Sequence, residues 1–200
     1  FVIPFVQKLM EMSASLPEEL KVKIRLCDTM GFGLSYPGTA EPRSIPKLVY
    51  RMTNDCGVPP SRLEWHGHND FHKVHINGAT CWIYGCDAVN TSLLGIGERT
   101  GNPPLEGAMI EYVGLKGDAN GADLSVITEI GDFFREEIGY PVPRNYPLVG
   151  ADFNVTRAGI HAEGLRRDER IYNIFNTTKL LNRPPRVAIT DKSGVDGIAL

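Results

Sequence analysis

Apolar and polar positions change period along the chain, and each change marks an element. Residues 1–20 read as one apolar helix, with Pro4 early and Pro17 opening the next turn. KVKIRLCDT (21–29) is a short β-rich run, followed by a loop, MGFGLSYPGTAEPRS, dense in Gly, Pro and Ser. SIPKLVYRMTNDCG then sets Ile45, Leu48, Val49 and Met52 at helical spacing, with Gly57 as a stop. LEWHGHND (63–70) reads as a second strand and FHKVHINGATCWIYGC (71–86) as a second helix. AVNTSLLGIG (88–97) is a third strand and ERTGNPP its loop. PPLEGAMIEYVGLKG (103–117) is a third helix, opening on prolines where a missing N–H donor costs nothing.

Strand and helix thus alternate three times between residues 21 and 117. That is about 32 residues per unit, against ~31 for a ~250-residue (β/α)8 barrel divided by eight. Such alternation predicts an α/β fold with a parallel sheet and crossover helices. An open doubly wound sheet shares the spacing, but no G-x-G-x-x-G or G-x-x-x-x-G-K-[ST] follows a strand, which argues against a nucleotide-binding sheet. After Gly117 the pattern changes. DLSVITEIGDFFREEIG (123–139) is a long amphipathic helix with no strand before it, and YPVPRNYPLVG (140–150), with its three prolines, reads as a linker. The expected organisation is the C-terminal part of a TIM (β/α)8 barrel over 1–118, a helix and linker over 119–150, and a small, mainly helical lid without strands over 151–200. Phe1 is not a methionine and SGVDGIAL carries no closing signal, so the chain reads as a piece cut at both ends.

Composition narrows the functional classes. Of the 200 residues, 42% are hydrophobic, enough for a sizeable core. The net charge of −3 argues against nucleic acid as the main partner, since phosphate binding wants a basic surplus. No apolar run of ~18 residues offers a membrane span. Four cysteines without a C-x-x-C pair read as thiols of a reducing compartment, and the start lacks the basic region of a signal peptide, which together point to the cytoplasm.

The strongest chemical signal is His66-Gly67-His68-Asn69-Asp70 at a strand end. Residues i and i+2 of a strand share a face, so both imidazoles can reach one metal ion. The plainer alternative is a hydrogen-bonded polar pair. His72 and His75 read as surface or packing residues. GIGERTGN (95–102) would bring Glu98, Arg99 and Asn102 to the same end of the sheet, and Asp28-Thr29 closes the first strand there. Three consecutive strands that all end in reactive side chains are unusual as a packing solution. His161, in Gly159-Ile160-His161, is by spacing alone a structural histidine.

LCDTMGFG, HGHND, GIGERTGN and AGIHAEG, in this order, resemble the metal-dependent Claisen-condensing (β/α)8 enzymes: the isopropylmalate, homocitrate, citramalate and Re-type citrate synthases, cousins of hydroxymethylglutaryl-CoA lyase. WHGHNDFHKVHINGATCWIYG, NTSLLGIGERTGNPPLE and IYNIFNTTKLLNRPPRVAI look most like the Re-citrate synthase branch. The resemblance implies an acyltransferase that joins acetyl-CoA to an α-keto acid, oxaloacetate first among the candidates. It also implies a divalent cation (Mn, Mg, Co or Zn) held by His66, His68 and Asn102. Thr29 would contact the keto-acid carboxylate, Glu98 would support a catalytic arginine, and His161 would act as a lid residue serving the second subunit of a homodimer. The family's aspartate ligand and catalytic arginine belong to an Asp-Arg-Glu motif that this resemblance places upstream of Phe1. The tyrosine that family members carry downstream of the G-I-H histidine has no counterpart in RPPRV. Two further functions compete. A lyase could run the retro-Claisen cleavage with the same metal, although its kind ends soon after the barrel. A non-catalytic scaffold could hold a structural metal, although such sites usually close four ligands, most often with cysteine.

Overall fold

The computed structural model of the chain describes residues 1–191 and 193–198. It divides into two compact units, 1–111 and 112–200. None of the described helices is long and apolar enough to cross a membrane.

The first unit opens with α1 (Val2–Ala14), where the expected 20-residue helix breaks at Ser15 and a single 3-10 turn, Glu18–Leu20, follows. It then alternates: β1 (Ile24–Asp28), α2 (Ile45–Tyr50), β2 (Leu63–Gly67), α3 (Val74–Tyr84), β3 (Ala88–Val89) and α4 (Leu105–Lys116), which runs on into the second unit. The three strands are parallel in the order β1-β2-β3, the arrangement of consecutive units of a (β/α)8 barrel. Register runs from Ile24 opposite Leu63 to Asp28 opposite Gly67, and Trp65 lies opposite Val89. α2 begins cleanly because Ser44 caps it, its hydroxyl accepting from the Lys47 amide at 3.3 Å, with Pro46 in the first turn. It continues as a π turn, Arg51–Asp55.

Alternation along the strands sorts the two faces of the sheet. Leu63 and Trp65, each 1% exposed, join Val49, Met52, Val74 and Cys81 in the core under the helices. Arg25, Cys27, Glu64 and His66 take the other face, where Arg25 and Glu64 are ion-paired. Gly67 follows Trp65 by two residues and so shares its face. A Cβ at Gly67 would run into the Trp65 ring at Cη2 and Cζ2, so the indole occupies the space a side chain would need.

The third strand is shorter than its sequence suggests. After Val89 the chain turns back, with the Ser92 amide on the Pro103 carbonyl, the Leu105 amide on the Ser92 carbonyl, and Leu94 at φ +55°. The ladder ends with the Asn90 amide on the Trp65 carbonyl at 2.8 Å, and buried Glu106 then accepts the Leu94 amide at 3.1 Å within the turn.

The second unit contains α5 (Val126–Glu136), β4 (Val155–Thr156), α6 (Gly159–Arg167), α7 (Thr177–Leu181), β5 (Arg186–Val187) and α8 (Gly194–Ile198). β4 and β5 pair in parallel, so the region read as strandless holds a two-residue ladder, too short to show a period of two. Residues 140–150 form no regular element, yet Leu148 and Val149 are buried, and Val149 packs where a Cβ on Gly131 would come within 2.8 Å.

Gly67→Ala should destabilise the protein by about 1–3 kcal/mol, the usual cost of overpacking, measured as a shift of the urea midpoint. In a Trp65→Leu background the same change should cost less than about 0.5 kcal/mol, because the obstructing ring is gone.

Candidate metal site

The carboxyl ends of β1, β2 and β3 lie on one edge of the sheet because the strands are parallel, and the polar residues singled out in the first unit gather there. His66, on the open face of β2, and His68, just beyond it, turn their rings to each other, with Nε2 to Nε2 at 3.3 Å and ring planes at 81°. Burial, and then the neighbouring His68, push the His66 pKa below its ordinary value. The ring is therefore neutral at neutral pH and has a lone pair to give. The Asn90 side chain hydrogen-bonds to His66 from the residue after β3.

His68 is only 9% exposed, and its Nδ1 is buried with no hydrogen-bond partner. Buried polar atoms are normally satisfied, and this one lies on the side of the ring away from the Nε2 that faces His66. Two nitrogens bound ~2.0–2.1 Å from one ion at a tetrahedral angle lie about 3.3–3.4 Å apart. The spacing of the two Nε2 atoms fits a shared divalent ion. Among the described residues no three His, Cys, Asp or Glu side chains cluster to hold a metal. The imidazole pair leaves further positions for an amide oxygen, water or a chelating substrate.

Asn102 reaches this strand end from the third loop. Its Nδ2 donates to the Gly67 carbonyl, between the two histidines, at 2.9 Å. Its Oδ1 rests over Gly97, where a Cβ would land on it. Thr29 is exposed just after β1, and its carbonyl accepts from Arg99 Nη2. Glu98 is exposed beside Arg99. Asp28 is turned into its own loop, accepting the Phe32 and Gly33 amides at 2.9 and 3.0 Å. His161 belongs to the second unit. It is exposed on α6, its ring centroid 4.6 Å from that of Tyr172, whose hydroxyl donates to the Ile160 carbonyl at 3.3 Å.

His75 faces Glu111 at 3.4 Å, in keeping with a packing role, and His72 sits before α3 at φ +56°. Sequence reasoning missed Asn90 and the ion pair between Asp70 and Arg99 at 2.9 Å. Asn90 was within reach, since in-register parallel strands put the residue after Val89 beside His66. The ion pair spans 29 positions and leaves no local pattern.

Comparison with known proteins identifies the family. The family model HMGL-like matches residues 5–134. The chain is 60% identical over its whole length to a citrate (Re)-synthase of Syntrophus aciditrophicus, of which it covers 31%. It is 53% identical, again over its whole length, to a citrate (Re)-synthase of Clostridium kluyveri, of which it covers 44%. It thus spans less than half the length of either relative. An HMG-CoA lyase structure from A. baumannii, solved with coenzyme A and 3-methylmalate, superposes with a TM-score of 0.51 at 18% identity, covering 71% of this chain and 43% of that one. That likeness supports the fold.

Gly97→Ala should dislodge the Asn102 amide from Gly67 and cost about 1–2 kcal/mol, read by chemical denaturation. In an Asn102→Ala background the loss should nearly vanish, because the new Cβ meets no oxygen. The match over residues 5–134, more than half of the chain, places it in the HMGL-like family.

Proposed function

We propose that the protein carrying this chain condenses acetyl-CoA with oxaloacetate, releasing citrate and CoA by a divalent-metal-dependent Claisen reaction in the cytoplasm. The observation that carries this reading is the identity of 60% and 53%, over the whole chain, to two Re-citrate synthases. The facing His66 and His68 rings support it chemically.

His66 and His68 are the imidazole ligands, and Asn102 is the third protein donor. The ion (Mn²⁺, Mg²⁺, Co²⁺ or Zn²⁺), when bound, supplies Lewis-acid polarisation of the keto carbonyl. The Thr29 hydroxyl donates to the keto-acid carboxylate and orients it. Glu98, in the loop beside Arg99, accepts from a catalytic cation and steadies it. His161 of the partner subunit, in a homodimer, is the group that takes up and returns protons. In the balanced reaction a methyl proton of acetyl-CoA is removed, the carbon bonds to the keto carbon, and the keto oxygen takes the carbonyl electron pair and a proton to become the hydroxyl. Water then cleaves the thioester, giving citrate and free CoA. In this reading residues 1–118 are barrel, 119–150 helix and linker, and 151–200 a lid.

The test uses the full-length gene product and follows CoA release with oxaloacetate, 2-oxoglutarate and 2-oxoisovalerate. Oxaloacetate should be the best substrate, with activity lost on chelation and restored by Mn²⁺ or Co²⁺. His66→Ala and His68→Ala should each lower metal retention and turnover on the order of 10²-fold or more. A variant that keeps stoichiometric metal and full rate sinks the ligand assignment, and preference for another keto acid sinks the substrate.

A further inference from the structure

We infer that Arg99 and Asp70 are positioning residues for the keto-acid site, a guanidinium–carboxylate clamp that holds the Thr29 loop against the end of the strand bearing His66 and His68. The inference rests on the site reading given above, in which Thr29 meets the keto-acid carboxylate.

Three loops leave the carboxyl ends of the strands: 28–33 after β1, 68–73 after β2 and 90–104 after β3. Backbone hydrogen bonds join neighbours. The His68 amide donates to the Asp28 carbonyl at 3.3 Å, and the Asn69 amide to the Gly101 carbonyl at 3.0 Å. Between the first and third loops the tie is Arg99. Its Nε donates to Asp70 Oδ1 at 2.9 Å and its Nη2 to Asp70 Oδ2 at 3.2 Å, while Nη2 also donates to the Thr29 carbonyl. One planar fork thus spans all three loops, a geometry that a lysine ammonium cannot reproduce.

Two features separate this from an ordinary surface ion pair. Arg99 stands at φ +51°, a left-handed conformation sparse for a non-glycine residue, so its surroundings hold it there. Behind the clamp, the first loop has no slack: a Cβ on Gly31 would come within 2.6 Å of the His68 carbonyl oxygen and 2.9 Å of the Asp70 amide nitrogen. A shift of either loop is therefore passed to the other. Thr29 is itself exposed, so its placement depends on hydrogen bonds more than on packing.

The experiment compares Arg99→Gln, Asp70→Asn, their double variant and Arg99→Lys in the full-length gene product. Each single variant should raise the KM for oxaloacetate roughly 10-fold, with the KM for acetyl-CoA changed less than about 2-fold and metal content unchanged. The double variant should be no worse than the worse single, as expected for groups acting through one contact. Arg99→Lys should recover only part of the loss. Hydrogen exchange supplies a readout independent of turnover. The Gly31, Phe32 and Gly33 amides, all hydrogen-bonded to Asp28, should exchange faster in the variants, while the amides of residues 63–66 stay protected. Unchanged exchange at 31–33 overturns the clamp. Equal loss for both substrates, with exchange spreading into the strand, overturns the positioning role and leaves a folding one. If the wild type uses none of the keto acids, the functional reading fails by itself and the exchange result alone decides the clamp.

Discussion

Trp65 sits at 1% exposure beneath the helices, and its indole fills the space beside Gly67. Because side chains alternate along a strand, this burial fixes which way every neighbour points. A slip of one residue would send the histidines into the core and the indole into the open. The same parity places Glu64 and His66 on the open face, opposite Arg25 and Cys27 in register. Gly67 matters less for its own flexibility than for the room it leaves, since any side chain there would compete with the ring that sets the register.

From that constraint the chemistry follows in short steps. The two imidazoles meet at 3.3 Å because they are two residues apart at a strand end, where the backbone has begun to leave the ladder. Burial favours the neutral form of His66, so that ring has a lone pair to offer. The surrounding loops are held by polar contacts, such as Asn102 on the Gly67 carbonyl and Arg99 on Asp70 and Thr29. These bonds are directional, and they leave room at the strand ends that a packed apolar cluster would fill.

Much of this was legible in the sequence wherever the signal was local. The H-G-H pair and the proline-led start of α4 are patterns within ten residues, and the strand–helix period is built from elements each legible in its own short span. What was not legible is long-range or very short. The third strand was expected over 88–97 but pairs only at Ala88–Val89, because Ser92 is claimed by Pro103 and Leu105, and the Leu94 amide by Glu106. β4 and β5 are two residues each and form only by finding one another across 30 positions. Arg99 was placed at the strand ends, but its partner Asp70 lies 29 positions away in sequence. The Tyr172 ring, which no local pattern links to His161, is brought to 4.6 Å from it by α6 and the turn that follows.

The central claim is that His66 and His68 share one divalent ion. Crystals of the Mn²⁺-loaded full-length gene product, measured on both sides of the manganese edge, test it without reference to turnover. The account predicts an anomalous peak roughly 2.1 Å from Nε2 of both rings, with the imidazoles still facing across about the present gap. Full manganese loading with no peak between the two rings, or with the peak on other side chains, would contradict it.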